Sequence, residues 1–272
     1  MRIRMLDILM QPFMQRAIVI GLIVAIVCGY LGVFVTLKRM SFFVDAIAHS
    51  SLAGIALGIF FSIDPILSAL IFAIIVAFGM AYVKKQGNLS FDTIIGIFFP
   101  TSFAIGIIVI GLVTGYRPDL ISYLFGNILA VTNQDLAIAA IIGPLVMILF
   151  IALYRRMVFS IIDPDMARVV GLRLFLLEVL FLVSLAAVVV VSIKVLGIIL
   201  VGALIVIPAA AAKNVSRSFS EEIAFSILFG IISVITGLFL SLVLNVASGA
   251  TVVLVAVTLF IITFIFKKLQ RA

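Results

Sequence analysis

The chain is 272 residues long, 66% hydrophobic and only 11% charged, with a mean hydropathy of +1.49. A soluble domain carries roughly 25% charge and 45–50% apolar residues. This composition therefore excludes a water-soluble globule, and its hydrophobicity excludes a disordered chain. Lys and Arg number 18 against 11 Asp and Glu. The excess sits in short clusters between apolar runs, the way membrane proteins mark their cytoplasmic side, and no nucleic-acid partner is expected.

A bilayer core of about 30 Å needs roughly 20 apolar helical residues, and the chain supplies such runs in order. They cover 17–36, 42–63, 65–83, 93–116, 136–154, 174–193 and 195–212. The uncharged run 223–266 would measure about 66 Å as one helix, so it must fold back, with Asn245–Gly249 as the turn. The fold class expected is all-α: a polytopic membrane protein with about nine transmembrane helices, range eight to ten, in a single transmembrane domain over 1–272. With nine crossings, Lys38/Arg39, Lys84/Lys85, Arg155/Arg156, Arg168/Arg173, Lys213/Arg217 and Lys267/Lys268/Arg271 share one side. Arg2, Arg4, Arg16, Arg117 and Lys194 fall on the other. The bias makes the first side, with the C-terminus, cytoplasmic. Residues 1–16 alternate basic and apolar character and contain Pro12, which suggests an amphipathic segment along the interface. No small-residue cleavage pattern follows 17–36, so a cleaved signal peptide is not expected.

Cysteine and histidine each occur once. Cys28 allows no intrachain disulfide, and a lone His49 excludes an HExxH zinc-protease motif. Ionisable groups within a span are costly, by about 2.5–3.5 kcal/mol at its centre on insertion scales, and are functional candidates for that reason. Asp45 and His49 stand at i and i+4 in the run 42–63, which puts both on one helix face. They can share a divalent cation, or hydrogen-bond to each other and simply pin two helices. Small residues around them, from Ala46 to Gly58, allow close helix approach. Two copies of the pair, across a two-fold axis, would offer two carboxylates and two imidazoles, suiting zinc, manganese or ferrous iron. Glu178 reads as a helix-packing contact and Lys194 as a snorkelling residue. Asp64, Asp92, Asp119 and Asp135 stand at run boundaries, where helix N-capping accounts for most of them.

The stretch 161–172 is a short polar segment between two spans. Asp163 can cap a helix, Pro164 fits its first position and Gly171 ends it. It reads either as an ordinary interfacial loop or as a docking knob, built on Asp163, Pro164, Ala167 and Gly171, for a cytoplasmic partner.

Taken together, Gly32–Phe42 followed by Asp45-Ala-Ile-Ala-His49, the segment 122–131, Gly202–Ala210 with Pro208, and Asp163–Gly171 resemble the permease subunit of the zinc/manganese class of bacterial ATP-binding-cassette importers. The chain departs from the family pattern at Val44, commonly glycine, and at Ala53, often proline. The resemblance implies a membrane-spanning permease for divalent transition-metal ions in the bacterial cytoplasmic membrane. Zinc is the ion favoured, with manganese or ferrous iron as the alternative. It further implies Asp45 and His49 as ion-pathway ligands, no permanently bound cofactor, and Asp163–Gly171 as a coupling helix. The partners implied are a second copy of the chain, cytoplasmic ATPase subunits and an extracellular or periplasmic metal-binding protein. The chain has no GxxxxGK[ST] P-loop, so it is not expected to be an enzyme, and ATP hydrolysis is assigned to a separate subunit. The reading from another class, an ion-gradient-driven secondary transporter, would call for several intramembrane carboxylates and repeated halves, and the sequence displays neither.

Overall fold

The computed structural model describes residues 11–87, 89–113, 120–126 and 131–271. Outside the described residues lie most of the expected N-terminal interfacial segment, Asp119, and residues 127–130 of the segment 122–131; the side chain of Lys194 is likewise not described. Among the described residues there is helix and no strand. In chain order the helices are α1 (Pro12–Leu37), α2 (Ser41–Phe60), α3 (Pro65–Gln86), α4 (Phe91–Leu112), α5 (Leu120–Phe125), α6 (Asn133–Ile162), α7 (Pro164–Val169), α8 (Leu174–Leu196), α9 (Ile198–Val215), α10 (Phe219–Leu244) and α11 (Ser248–Arg271). Eight of them are long and apolar enough to cross a membrane, and α9 is a shorter apolar helix of 18 residues. The protein is a polytopic helical membrane protein.

Local chemistry sets the helix ends. Asp64 caps α3 by accepting from the Leu67 amide at 2.8 Å, with Pro65 in the first position. Ser90, not Asp92, caps α4, accepting from the Thr93 amide at 3.1 Å. Asp92 stands in the first turn of α4 without being its cap, an exception to the capping expected of most of these aspartates. Asp135 accepts from the Thr132 amide at 2.8 Å and its hydroxyl at 2.6 Å, while Thr132 accepts from the Asp135 amide at 3.3 Å, a reciprocal cap. Pro12 opens α1, so helix begins there and the interfacial reading does not extend to Arg16.

Two boundaries differ from expectation. The expected break at Lys194 lies instead at Gly197, whose φ of +84° only glycine adopts readily. A Cβ there would also sit 2.4 Å from the Leu124 carbonyl oxygen of α5. The 30-residue α6 runs about 45 Å, well past Arg155 and Arg156, because those long side chains do not interrupt a helix. The fold-back at Asn245 is as expected: Asn245 is left-handed (φ 53°) and ends α10.

The chain divides into two compact units. The first comprises Met1–Thr36, Pro118–Gly143 and Val191–Ala272. Here α9, α10 and α11 pack on one another, and α5 packs on α9 and α11. Ser226 of α10 donates to the Gly29 carbonyl of α1 at 2.7 Å, and Thr251 of α11 to the Gly237 carbonyl of α10, also at 2.7 Å. The second unit comprises Leu37–Arg117 and Pro144–Val190, and its centre is α2 packed against both α3 and α4. Cβ atoms placed at Gly54 and Gly58 would lie 2.5 Å from the Ala69 Cα and 2.8 Å from the Pro65 Cα. The small-residue face of α2 is thus used up against α3 within the chain. On another side, Ala53 fits against Gly106 of α4, where proline in place of alanine would cost the helix a hydrogen bond.

Candidate functional site

α2 is a 20-residue helix with most of its side chains buried, and its exceptions are informative. Phe43, Val44, Ala46, Ile47 and Ala48 are all buried, whereas Phe42 and Asp45 are exposed and His49 is half-buried. The i,i+4 geometry therefore holds: Asp45 and His49 share the one stripe of α2 that its neighbours leave uncovered. Asp45 opens onto a cavity of about 370 Å³. Phe42, Asp45 and Ala46 line it from α2, and Asp92, Ile95, Gly96 and Phe99 from α4. Freed from capping, the Asp92 carboxylate borders the same space as Asp45.

His49 is held by aromatic edges. Its ring meets Phe99 at 5.3 Å and Phe103 at 6.2 Å between centroids, both T-shaped. Phe99 borders the cavity and contacts the imidazole, so one ring connects the two polar positions. Next along α2, Ser50 is fully buried, and its hydroxyl has no hydrogen-bond partner among the described residues. Among the described residues, no group of three His, Cys, Asp or Glu side chains gathers to hold a metal. Within one chain, the pair offers one carboxylate and one imidazole, with a second carboxylate across the cavity. Such donors suit a borderline or hard divalent cation far better than a soft one.

The second candidate region folds as its residues suggest. Asp163 caps α7, accepting from the Met166 amide at 2.9 Å, and Pro164 takes the first position. Gly171 (φ 85°) ends it in a Schellman motif: its amide donates to the Arg168 carbonyl at 2.9 Å and the Leu172 amide to the Ala167 carbonyl at 2.9 Å. Ala167 is fully buried and roots the segment in its own chain. Around it Ile162 is 74% exposed and Val169 79%, with Met166 and Val170 exposed as well. The segment thus leaves a knob of apolar side chains bare between two long helices.

Comparison with known proteins agrees over almost the whole length. Residues 10–267 match the family described as ABC 3 transport family. A manganese transport system membrane protein of Halalkalibacterium halodurans, MntC, is 35% identical over 264 residues, 97% of this chain and 90% of that protein. The high-affinity zinc uptake system membrane protein ZnuB of Haemophilus influenzae is 30% identical, covering 93% of this chain and 96% of that one. Among solved structures, PsaBC from Streptococcus pneumoniae in complex with a Fab superposes with a TM-score of 0.84 at 33% identity, covering 95% of this chain and 94% of that chain. The chain belongs to the ABC 3 transport family, a family of membrane permease subunits, and is similar to these manganese and zinc transport proteins.

Proposed function

We propose that this protein is the permease subunit of an ATP-driven importer of divalent transition-metal ions, and that manganese is the ion it carries. The observation that carries this reading is the uncovered Asp45–His49 stripe of α2, with Asp45 opening on a cavity that Asp92 also borders. A carboxylate so exposed within an otherwise apolar helix is expensive in a bilayer unless a cation or water meets it. Two carboxylates and an imidazole form an oxygen-weighted donor set. That weighting favours manganese over the zinc expected from affinity order. The manganese transport relative supports the same choice, and the zinc uptake relative keeps zinc as the second reading.

In this account Asp45 and His49 bind the ion in passage as substrate, and Asp92 adds negative potential at the same opening. Phe99 and Phe103 fix the imidazole plane, limiting the entropy lost when the ion is bound. The glycine face of α2 is taken by α3, so a second copy would approach on the stripe holding Phe42 and Asp45. An isologous dimer then brings two Asp45–His49 pairs to one axis. The bare side chains of α7 meet a separate cytoplasmic ATPase subunit, and an external metal-binding protein delivers the ion. The C-terminus is cytoplasmic in this reading, on the side that carries most of the basic clusters. The permease itself is not an enzyme; the hydrolytic chemistry belongs to the ATPase.

The test is uptake of labelled manganese and zinc by cells expressing the permease with its partner subunits. Manganese accumulation above the permease-free control, resisting a zinc excess, is expected. Accumulation of neither ion would overturn the reading, and zinc alone would replace manganese with the second reading.

A further inference from the structure

In the second unit, three lysines from two different turns converge on one face of α8. Lys84, near the end of α3, forms an ion pair with Glu178, and their side chains are only 36% and 21% exposed. The same ammonium stands 4.8 Å over the ring of Phe91, the first residue of α4. Phe91 in turn packs 5.8 Å from Phe43 of α2. Lys85 lies 4.5 Å over Phe175, and Lys38, from the turn before α2, lies 4.9 Å over Phe181. Phe175, Glu178 and Phe181 follow at three-residue spacing and so share one helix face. Lys38 also feels this cluster: burial pulls its amine below the ordinary lysine range, Glu178 opposes that shift and Lys84 adds to it.

The placement of these contacts is what matters. Glu178 stands one turn into α8, whose start follows α7 after Val170–Arg173. Phe43 is two residues from Asp45, and Phe91 adjoins Asp92, so the far end of the same contact chain holds both carboxylates that border the cavity. We propose that Lys84 and Glu178 act as a strut that transmits displacement of the α7–α8 connection to the start of α2 and α4, opening or closing the cavity at Asp45. They are positioning residues and never touch the ion. The proposal rests on the reading of α7 as the ATPase contact.

A half-buried ion pair suits this task because it is directional. Removing Glu178 takes away the carboxylate that Lys84 pairs with, and removing Lys84 leaves Glu178 only the more remote Lys38. An exchange of the two charges restores the link with opposite polarity. A merely structural role would show only as less assembled protein.

The experiment uses the full complex of permease, ATPase and binding protein in liposomes, and reads manganese transported per ATP hydrolysed beside the amount of assembled complex. Lys84→Met and Glu178→Gln should each lower that ratio at least tenfold, with assembled complex within twofold of the parent and ATP hydrolysis continuing. The double exchange Lys84→Glu/Glu178→Lys should recover a third or more of the ratio. Single variants that keep the parental ratio would overturn the strut. So would a fall that only tracks the loss of assembled complex, or a double exchange no better than the singles. A parent that transports neither manganese nor zinc would instead overturn the importer reading, and the strut with it.

Discussion

Asp92 is the residue whose role changes most between its position in the chain and its position in space. It begins a helix and would ordinarily be assigned to capping, but Ser90 has that task. Its carboxylate borders the cavity beside Asp45, and two like charges around one opening raise the local concentration of a divalent cation. Asp92→Asn is therefore expected to raise the manganese concentration needed for half-maximal uptake several-fold while leaving the maximal rate within about twofold. Labelled-ion uptake over a concentration series checks this, and an unchanged half-saturation would remove Asp92 from the ion's path. Asp45 and His49 could be read from the sequence because they interrupt an apolar run at helical spacing. Asp92 could not, since its meaning depends on the cavity wall brought by α2, and Glu178 was legible as a helix-packing contact but its partner, Lys84 of α3, was not.

At the scale of the element, α7 separates two roles that its sequence runs together. Ala167 is fully buried, so a charge there would unseat the helix from its own chain as well as from a partner. Val169 is bare, and it is the position that probes docking alone. Val169→Asp should reduce co-purification of the ATPase subunit at least tenfold, with the permease recovered at parental yield and unchanged thermal stability in detergent. Full retention of the ATPase would show that the exposed side of α7 is not the docking surface. The cap at Asp163, Pro164 in first position and the stop at Gly171 were all legible, because each follows from local backbone chemistry. The α8–α9 break was misplaced by three residues, for an equally physical reason. A charged residue such as Lys194 marks polarity but does not bend a backbone, whereas Gly197 occupies a positive-φ position against the α5 backbone. The small-residue face of α2 could be recognised but not its occupant, which is α3 of the same chain.

At the scale of the whole molecule, the helical membrane class followed from composition and run length alone. The division into two units, each built from separated stretches of chain, did not. Dimer geometry is open to a direct probe. Ser50 is fully buried and unsuited to cross-linking, while Phe42, 71% exposed beside Asp45, faces outward. In a Cys28→Ala background, Phe42→Cys should cross-link between subunits with short reagents in membranes, and the yield should change with added manganese. Absence of cross-linking with any reagent shorter than about 10 Å would argue that the two Asp45 stripes do not face one another. The measurement that bears most directly on the ion path is manganese uptake by the assembled transporter carrying Asp45→Asn or His49→Ala. Asn preserves the shape of Asp45 and removes its charge, and either change takes away one donor from a small set. Uptake is predicted to fall at least tenfold in each variant while ATPase co-purification stays at the parental level; near-parental uptake of manganese and zinc in either would contradict an ion path past Asp45 and His49.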